Sequence, residues 1–361
     1  MKIAFFLSSR NIIPPLKTGG IEQSAYFLIR ELTKRGHQIT IFSAPGSKVS
    51  KAKIKEISPF SVLTKLKHGN LEERISGFYD SLALSDFFLS GQQENFDLIQ
   101  FGDYLFYKIL PFASLSKIPI LVEINYPHEE IYPYIKDTLT KIKNVHYLPV
   151  SNFIKSIMPG LDYLETVYPS LDFKKFPLSN QKRKHLLFVG RICPEKGPHV
   201  AIKTAQVAKQ KLIIAGPVKK TDWPYFSAQI KPHLDNKNIF YVGEVDFKAK
   251  IKLFQQAKAT LFPTLWSEPF GLVPIESMAC GTPVIAFDRA TAREIIKNNT
   301  SGFIIKNDNI ETMVKAVKKV DRLARPAIRQ WVIDNFSIEK TAEQYEKICE
   351  RIIKNSKKRD Q

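Results

Sequence analysis

The chain has 361 residues, of which 44% are apolar and 25% charged, and its 54 basic and 35 acidic residues give a formal net charge of +19. This apolar content is enough for two domains with buried cores, so an intrinsically disordered chain is excluded. The basic excess calls for an anionic partner or surface without identifying which one.

The chain carries no signal for membrane insertion or secretion. No apolar run approaches bilayer length, and the opening segment Met1–Ser8 becomes polar too soon for a signal peptide. We therefore expect a cytoplasmic protein. Cys193, Cys280 and Cys349 are widely separated and lack histidines at metal-binding spacing, so we expect reduced thiols and no zinc site.

The first half alternates strand-like and helical segments. Strands are predicted at residues 2–8, 38–44, 97–101, 118–124 and 145–150, and helices at about 21–35, 71–89 and 131–143. Short apolar runs separated by amphipathic helices are typical of a parallel sheet covered by helices. The following segment, 169–184, is polar and aperiodic, and we predict a linker there.

A second alternating series follows the linker. Strands are predicted at 185–190, 211–215, 238–242, 259–263, 283–287 and 302–305, and a last helix from an N-cap at Ser337 to about 353. The chain is therefore predicted as α/β, with doubly wound halves at 1–168 and 185–336 and a C-terminal helix and tail at 337–361.

Two glycines lie where the first strand leads into a helix. Gly19 and Gly20 follow Thr18, so backbone N–H groups and the helix dipole can approach an anion closely there. A helix entry that only needs flexible backbone is an equally good interpretation. The spacing matches neither the dinucleotide fingerprint nor a P-loop.

A glycine-flanked basic element opens the second half. Gly190 and Arg191 end a predicted strand, and Pro194 with Lys196 begins a helix. The two cations would project from the carboxyl end of the sheet, where such folds bind ligands. The alternative is a surface turn with two incidental cations.

Two carboxylates, Glu268 and Glu276, flank an apolar turn. If the loop folds back, the N–H groups of Gly271, Leu272 and Val273 face a phosphate at a helix N-terminus. The alternative is that Glu268 caps the helix. That would not explain Glu276 on an otherwise apolar helix, where burial of an unpaired carboxylate would cost several kcal/mol.

These blocks resemble glycosyltransferase family 4, a family of retaining nucleotide-sugar enzymes in the GT-B superfamily, over nearly the whole chain. The residues that carry the resemblance are Gly19-Gly20-Ile21-Glu22, Arg35-Gly36-His37-Gln38-Ile39-Thr40, Phe188-Val189-Gly190-Arg191, Pro194-Glu195-Lys196-Gly197, Glu268-Pro269-Phe270-Gly271-Leu272 and 276–286. The resemblance implies a GT-B fold, in which two Rossmann-like domains face each other across a cleft and the C-terminal helix returns to the N-terminal domain. It also implies a hexosyltransferase of carbohydrate biosynthesis, with the acceptor on the N-terminal side and the nucleotide sugar on the C-terminal side.

The resemblance also assigns roles to matching residues. Arg191 and Lys196 would bind the donor diphosphate, Glu276 the ribose hydroxyls, and Glu268 a hydroxyl of the transferred sugar. The remaining positions implied to contact the donor are Gly19, Gly20, Gly190, Gly216, Val245, Gly271, Leu272 and Val273.

One position departs from the family pattern. Such enzymes often have a histidine after the strand that here ends at Ile124, where it contacts the donor sugar. This chain has Asn125 there and His128 three residues later. Either Asn125 substitutes as a hydrogen-bonding group or His128 reaches the sugar.

The mechanism is expected to need no metal or other cofactor. Loss of a nucleoside diphosphate from an anomeric carbon builds negative charge on the leaving oxygen. The chain lacks an Asp-x-Asp element, so Arg191, Lys196 and helix N–H groups would supply the positive field. Retention of configuration by same-face attack is implied by the resemblance alone.

The expected partners are a UDP- or GDP-type nucleotide sugar and a sugar or lipid-linked acceptor. Within 48–67 four lysines precede a series of apolar residues that two further lysines interrupt and follow. This suggests peripheral contact with an anionic membrane at its inner face, although a lysine-covered loop is the simpler interpretation. The alternative function is a basic nucleic-acid-binding protein. The chain lacks the motifs of such proteins, so we expect no nucleic-acid partner.

Overall fold

The computed structural model describes residues 1–15, 19–65, 69–102, 106–180 and 183–359. The chain divides into two compact units. The first comprises Met1–Ser170 and the residues from Ile338 onward, and the second comprises Leu171–Ser337.

The first unit is built on a six-stranded parallel sheet with the order β3-β2-β1-β4-β5-β6. Its strands are β1 (Lys2–Phe6), β2 (Gln38–Ser43), β3 (Lys53–Glu56), β4 (Leu98–Phe101), β5 (Ile120–Ile124) and β6 (Val145–Pro149). Its helices before the second unit are α1 (Gly20–Lys34), α2 (Val62–Lys65), α3 (Gly69–Leu89), α4 (Phe106–Ala113), α5 (Tyr132–Lys141) and α6 (Asn152–Ile157). The central strands are buried almost throughout, which explains their near-continuous apolar sequences.

The second unit repeats this plan, with the strand order β12-β11-β10-β7-β8-β9. Its strands are β7 (His185–Val189), β8 (Leu212–Ala215), β9 (Ile239–Tyr241), β10 (Ala257–Phe262), β11 (Val284–Phe287) and β12 (Gly302–Ile305). Its helices are α7 (Pro198–Val207), α8 (Trp223–Tyr225), α9 (Phe247–Gln256), α10 (Leu272–Ala279), α11 (Ala292–Ile295), α12 (Ile310–Val317) and α13 (Arg325–Phe336). The strand order reverses between β7 and β10, and ligands of such sheets bind at the carboxyl ends beside this reversal.

The last helix, α14 (Ile338–Arg359), belongs to the first unit, as the sequence predicts. It packs against α1, and the buried Tyr345 hydroxyl donates a hydrogen bond of 3.0 Å to the Gln100 side chain. Glu346 contacts both Arg35 and His37, at 2.7 and 2.6 Å. The helix continues beyond the predicted end near 353, through the basic tail.

Two further segments differ from their sequence-based description. β3 was not predicted, because Lys53–Glu56 is an edge strand whose side chains are mostly polar, a common protection of sheet edges. The segment 169–184, predicted as a linker, packs in the second unit from Leu171 on. Phe173 and Phe176 are buried there, and Arg329 donates hydrogen bonds to both of their carbonyls.

Among the residues covered by the structure, no helix is both long enough and apolar enough to cross a bilayer. The three cysteines, Cys193, Cys280 and Cys349, are buried free thiols. Burial raises the pKa of the Cys280 thiol to about 12, so this sulfur is neither charged nor accessible.

A buried histidine begins the central strand of the second unit. His185 is 6% exposed, and its Nε2 has no hydrogen-bond partner among the described atoms. Burial, and secondarily the charge of Lys184, lowers the pKa of His185 to about 4. The folded protein therefore excludes a proton that the unfolded chain accepts.

Lowering the pH from about 6.5 to about 4 should lower the free energy of unfolding, and His185 should account for up to about 3 kcal/mol of that loss. The unfolded chain, with an ordinary histidine pKa, is stabilised by protonation in that window. Urea denaturation at a series of pH values measures the slope, and His185→Leu should flatten it. Equal slopes for the two proteins would contradict this account.

Candidate functional site

Two glycines at adjacent strand ends bring two backbone segments into direct contact. The Gly190 N–H, after β7, donates to the Ala215 carbonyl at 3.0 Å, and the Gly216 N–H, after β8, donates to the Gly243 carbonyl at 2.8 Å. A Cβ on Gly216 would lie only 1.8 Å from the Gly190 carbonyl oxygen, so no other residue fits there unless the backbone moves. Val245, half-buried, lies just beyond in the loop before α9.

The two predicted motifs of the second unit meet at Lys196 and Glu268. The Lys196 ammonium donates a hydrogen bond to the Glu268 carboxylate, and it lies 4.7 Å from the centre of the Trp266 ring. Trp266 Nε1 donates to the same carboxylate oxygen at 3.0 Å. The Leu265 N–H bonds the Glu195 carbonyl at 2.7 Å, which fixes the two loops together. Residues far apart in sequence thus form one charged cluster.

Arg191 follows the end of β7, and its acidic neighbours are Glu195 and Asp222 rather than Glu268. Its guanidinium donates to Glu195 at 2.6 Å, and its Nε lies 3.6 Å from Asp222 Oδ2 without a hydrogen bond between them. Hydrogen bonding by Cys193, and secondarily by Arg191, lowers the pKa of Glu195. About a third of the Arg191 side chain is exposed, so a ligand can reach it.

The turn before α10 presents backbone donors at the start of a helix. Gly271 is the N-cap, with φ +88°, and Leu272 and Val273 are the first two helical residues. N–H groups at these positions have no acceptor within the helix. Thr291 Oγ1 donates to the carbonyls of Glu268 and Phe270, at 3.2 and 2.9 Å, and so holds the loop. Gly271 makes no side-chain cap bond, and Glu268 is not the cap.

Glu276 has a partner that the sequence argument did not foresee. Its carboxylate is 3% exposed in α10, and Lys250 of α9 donates to Oε1 at 2.6 Å. The cost expected for an unpaired carboxylate on this apolar helix therefore does not arise, because Lys250 compensates the charge of Glu276. A signal was present, because Lys250 lies between Phe247 and Phe254 on the packed side of its helix.

The first unit carries the remaining predicted residues. Gly19 and Gly20 open α1, and Gly19 lies against the buried Glu22, which accepts a hydrogen bond from Asn11. The preceding Thr18 is outside the described residues. The Glu22 carboxylate therefore lies beside the Gly19 backbone, at the position where the sequence predicts contact with an anion.

Asn125 and His128 follow β5. The Asn125 Nδ2 atom is buried and has no partner among the described atoms, so it is a donor available to a ligand. His128 packs its ring 5.4 Å from that of Tyr126, and its carbonyl accepts the N–H groups that begin α5. Both residues remain candidates for the sugar contact.

The segment 48–67, for which membrane contact is the alternative to a lysine-covered loop, offers few apolar side chains to solvent. Val62 is buried and Phe60 is half-buried, while Leu66 and Lys67 are outside the described residues. In the part of the chain that is described, no group of three or more His, Cys, Asp or Glu side chains could hold a metal ion. Metal independence stays a prediction.

Comparisons with known proteins agree on one kind of protein. A family model described as glycosyl transferases group 1 matches residues 170–361. The O-antigen chain mannosyltransferase RfbU of Salmonella typhimurium is 26% identical over 186 residues, which cover 50% of this chain and 51% of that protein. The match therefore spans about half the length of that curated relative.

The fold as a whole is similar to solved glycosyltransferase structures. Sucrose-phosphate synthase from Thermosynechococcus elongatus matches with a TM-score of 0.81 and 16% identity, over 98% of this chain and 100% of that one. Anabaena HepE in complex with UDP-glucose matches with a TM-score of 0.73 and 13% identity, over 97% and 100%. The predicted GT-B fold, with its two parallel six-stranded sheets, is confirmed.

We expect Lys250→Met to destabilise the protein by about 3 kcal/mol, because it leaves the Glu276 carboxylate buried and uncompensated. Adding Glu276→Gln should recover much of this loss, since the buried charge is then removed as well. Lys252→Met, at an exposed position of the same helix, is the matched control and should change stability by less than about 0.5 kcal/mol. Urea denaturation measures all of them, and equal stabilities of the single and double variants would contradict the pairing.

Proposed function

Because this chain belongs to the glycosyl transferases group 1 family, we propose that it moves a hexose from a nucleoside diphosphate sugar to an acceptor hydroxyl. The observation that carries the proposal is the meeting of Lys196 and Glu268 beside the N-terminus of α10. A cation, a carboxylate and unpaired helix N–H groups together match a ligand that has both phosphates and hydroxyls.

The donor would exchange partners with the charged groups of the cluster. Lys196 and Arg191 would turn from their carboxylates to the diphosphate, joined by the N–H groups of Leu272 and Val273. Glu268, released from Lys196, would accept a hydrogen bond from a sugar hydroxyl. Glu276 would receive the ribose hydroxyls on the oxygen that Lys250 does not bond.

The first unit would complete the donor contacts. Gly19 and Gly20 would approach the phosphates with their backbone, and Asn125 or His128 would bond a hydroxyl of the sugar. Gly190, Gly216 and Val245 would line the nucleotide. The unpartnered Asn125 amide supports a polar contact at that position.

The chemical step needs positive charge around the leaving diphosphate. Arg191, Lys196 and the N–H groups before Glu276 would supply it without a metal ion, and each such group contributes roughly 3 kcal/mol of barrier lowering, about a hundredfold in rate. Retention would follow from attack on the face that the diphosphate leaves. The acceptor hydroxyl forms the new bond to the anomeric carbon and gives its proton to a phosphate oxygen of the leaving group.

The names of similar proteins support a hexose as the transferred sugar and, in one case, UDP as its carrier. HepE was solved with UDP-glucose, and RfbU is named a mannosyltransferase. We propose a sugar or lipid-linked acceptor and a cytoplasmic site of action.

A thermal-shift screen of the whole protein against UDP, GDP, ADP and their sugars tests donor binding. One nucleotide should raise Tm, because a ligand at a hundred times its Kd stabilises the folded form by about 2.7 kcal/mol. Loss of that shift in Glu276→Gln would support the ribose contact. Absence of a shift with every nucleotide would contradict the proposal.

Lys196→Ala and Arg191→Ala should each lower turnover of the donor identified in this way by about a hundredfold, since each removes one positive group from the leaving diphosphate. Release of nucleoside diphosphate measures the rate. Lys315→Ala, an exposed lysine of α12, is the control and should leave the rate unchanged. Full activity in both site variants would overturn the assignment of the site.

A further inference from the structure

Helix α3 of the first unit is apolar on two opposite faces. Its inward face contributes Leu84 and Phe87, which are 0% and 1% exposed. Its outward face carries four large apolar side chains. These are Leu71, Phe78, Leu82 and Leu89, which are 44%, 58%, 52% and 76% exposed.

The four exposed side chains form one stripe. At 3.6 residues per turn their positions fall within an arc of about 40° on the helix, and the stripe runs for roughly 27 Å along the axis. The arc lies opposite Asp80, which is 1% exposed on the inward side. A helix on the surface of a globular protein normally presents polar residues to solvent on this face.

The stripe has cationic neighbours. Lys65 of α2, which packs on α3, lies 4.4 Å from the centre of the Phe60 ring. Phe60 contacts Tyr79 edge-on at 5.9 Å, and Tyr79 contacts Phe78 at 5.3 Å. Lys65 is thereby linked to the stripe through three aromatic rings.

The edge strand β3 adds further positive charge close to the end of the helix. The Lys55 ammonium bonds the Gln92 side chain, three residues beyond α3, at 2.6 Å. Lys51 and Lys53, in or just before the same strand, are exposed. Apolar side chains bordered by lysines are typical of helices that lie at the surface of anionic bilayers.

We propose that the outward face of α3 lies on the surface of an anionic lipid bilayer. The stripe would enter the boundary between headgroups and acyl chains, and Lys53 and Lys65 would contact lipid phosphates. The position differs from the segment predicted from sequence, because the apolar contact comes from α3 rather than from 48–67.

A second copy of the chain is a poorer occupant of this face. Four side chains of this size, each about half exposed, offer on the order of 400 Å², about half of what each partner contributes to a standard protein interface. The flanking lysines of two copies would also repel each other, whereas anionic headgroups neutralise them.

Flotation of the purified full chain with vesicles tests the proposal without reference to sugar transfer. The vesicles are phosphatidylcholine alone or phosphatidylcholine mixed with phosphatidylglycerol. The wild-type protein should float with the mixed vesicles at low salt, bind the neutral ones several-fold less, and lose binding as salt rises. Phe78→Ser with Leu82→Ser should reduce binding to the mixed vesicles by about tenfold or more.

The matched control is Tyr134→Ser with Val207→Ser, two exposed apolar positions on α5 and α7. It should bind vesicles like the wild type, and unchanged Tm values show that both double variants are folded. Equal flotation of the α3 variant and the wild type would overturn the proposal. So would a wild-type dimer in sedimentation velocity that the α3 variant converts to a monomer.

Discussion

The contact between the Lys196 ammonium and the Glu268 carboxylate joins the two segments on which the candidate site depends. Both segments follow the carboxyl ends of strands, Lys196 after β7 and Glu268 after β10. The hydrogen bonds from Leu265 to Glu195 and from Thr291 to Glu268 and Phe270 hold the backbone around this contact. These hydrogen bonds hold the backbone on both sides of the Lys196–Glu268 pair, as a preorganised site requires.

Three cations at or near the candidate site are each paired with a carboxylate of the protein. Arg191 pairs with Glu195, Lys196 with Glu268, and Lys250 with Glu276. Two of these cations are proposed to bind phosphate, while Lys250 neutralises the most deeply buried of the three carboxylates. A donor would thus compete with internal carboxylates for its cations, which lowers affinity for simple anions and favours ligands that also satisfy the released carboxylates.

The sequence predicts most of this fold because the buried parallel strands are short, nearly continuous apolar runs. It does not predict β3, whose lysines protect an exposed edge, or the packing of Phe173 and Phe176 within a segment that looks like a linker.

The motif around Lys196 and Glu268 is recognisable in the sequence, because folding alone does not require charged residues at these positions. The sequence places Lys250 on the packed side of α9 but does not identify its partner, since tertiary packing decides which helix faces α10. The sequence predicts an amphipathic helix at 71–89, but packing decides which of the apolar faces of α3 stays exposed.

The return of α14 to the first unit has a consequence for how the protein is made. Residues from Ile338 onward pack against α1, yet they follow the whole second unit in the sequence. The second unit is continuous in sequence and can finish folding while the amino-terminal sheet still lacks Tyr345 over Gln100. The first unit can therefore acquire its last helix only after the second unit has been synthesised.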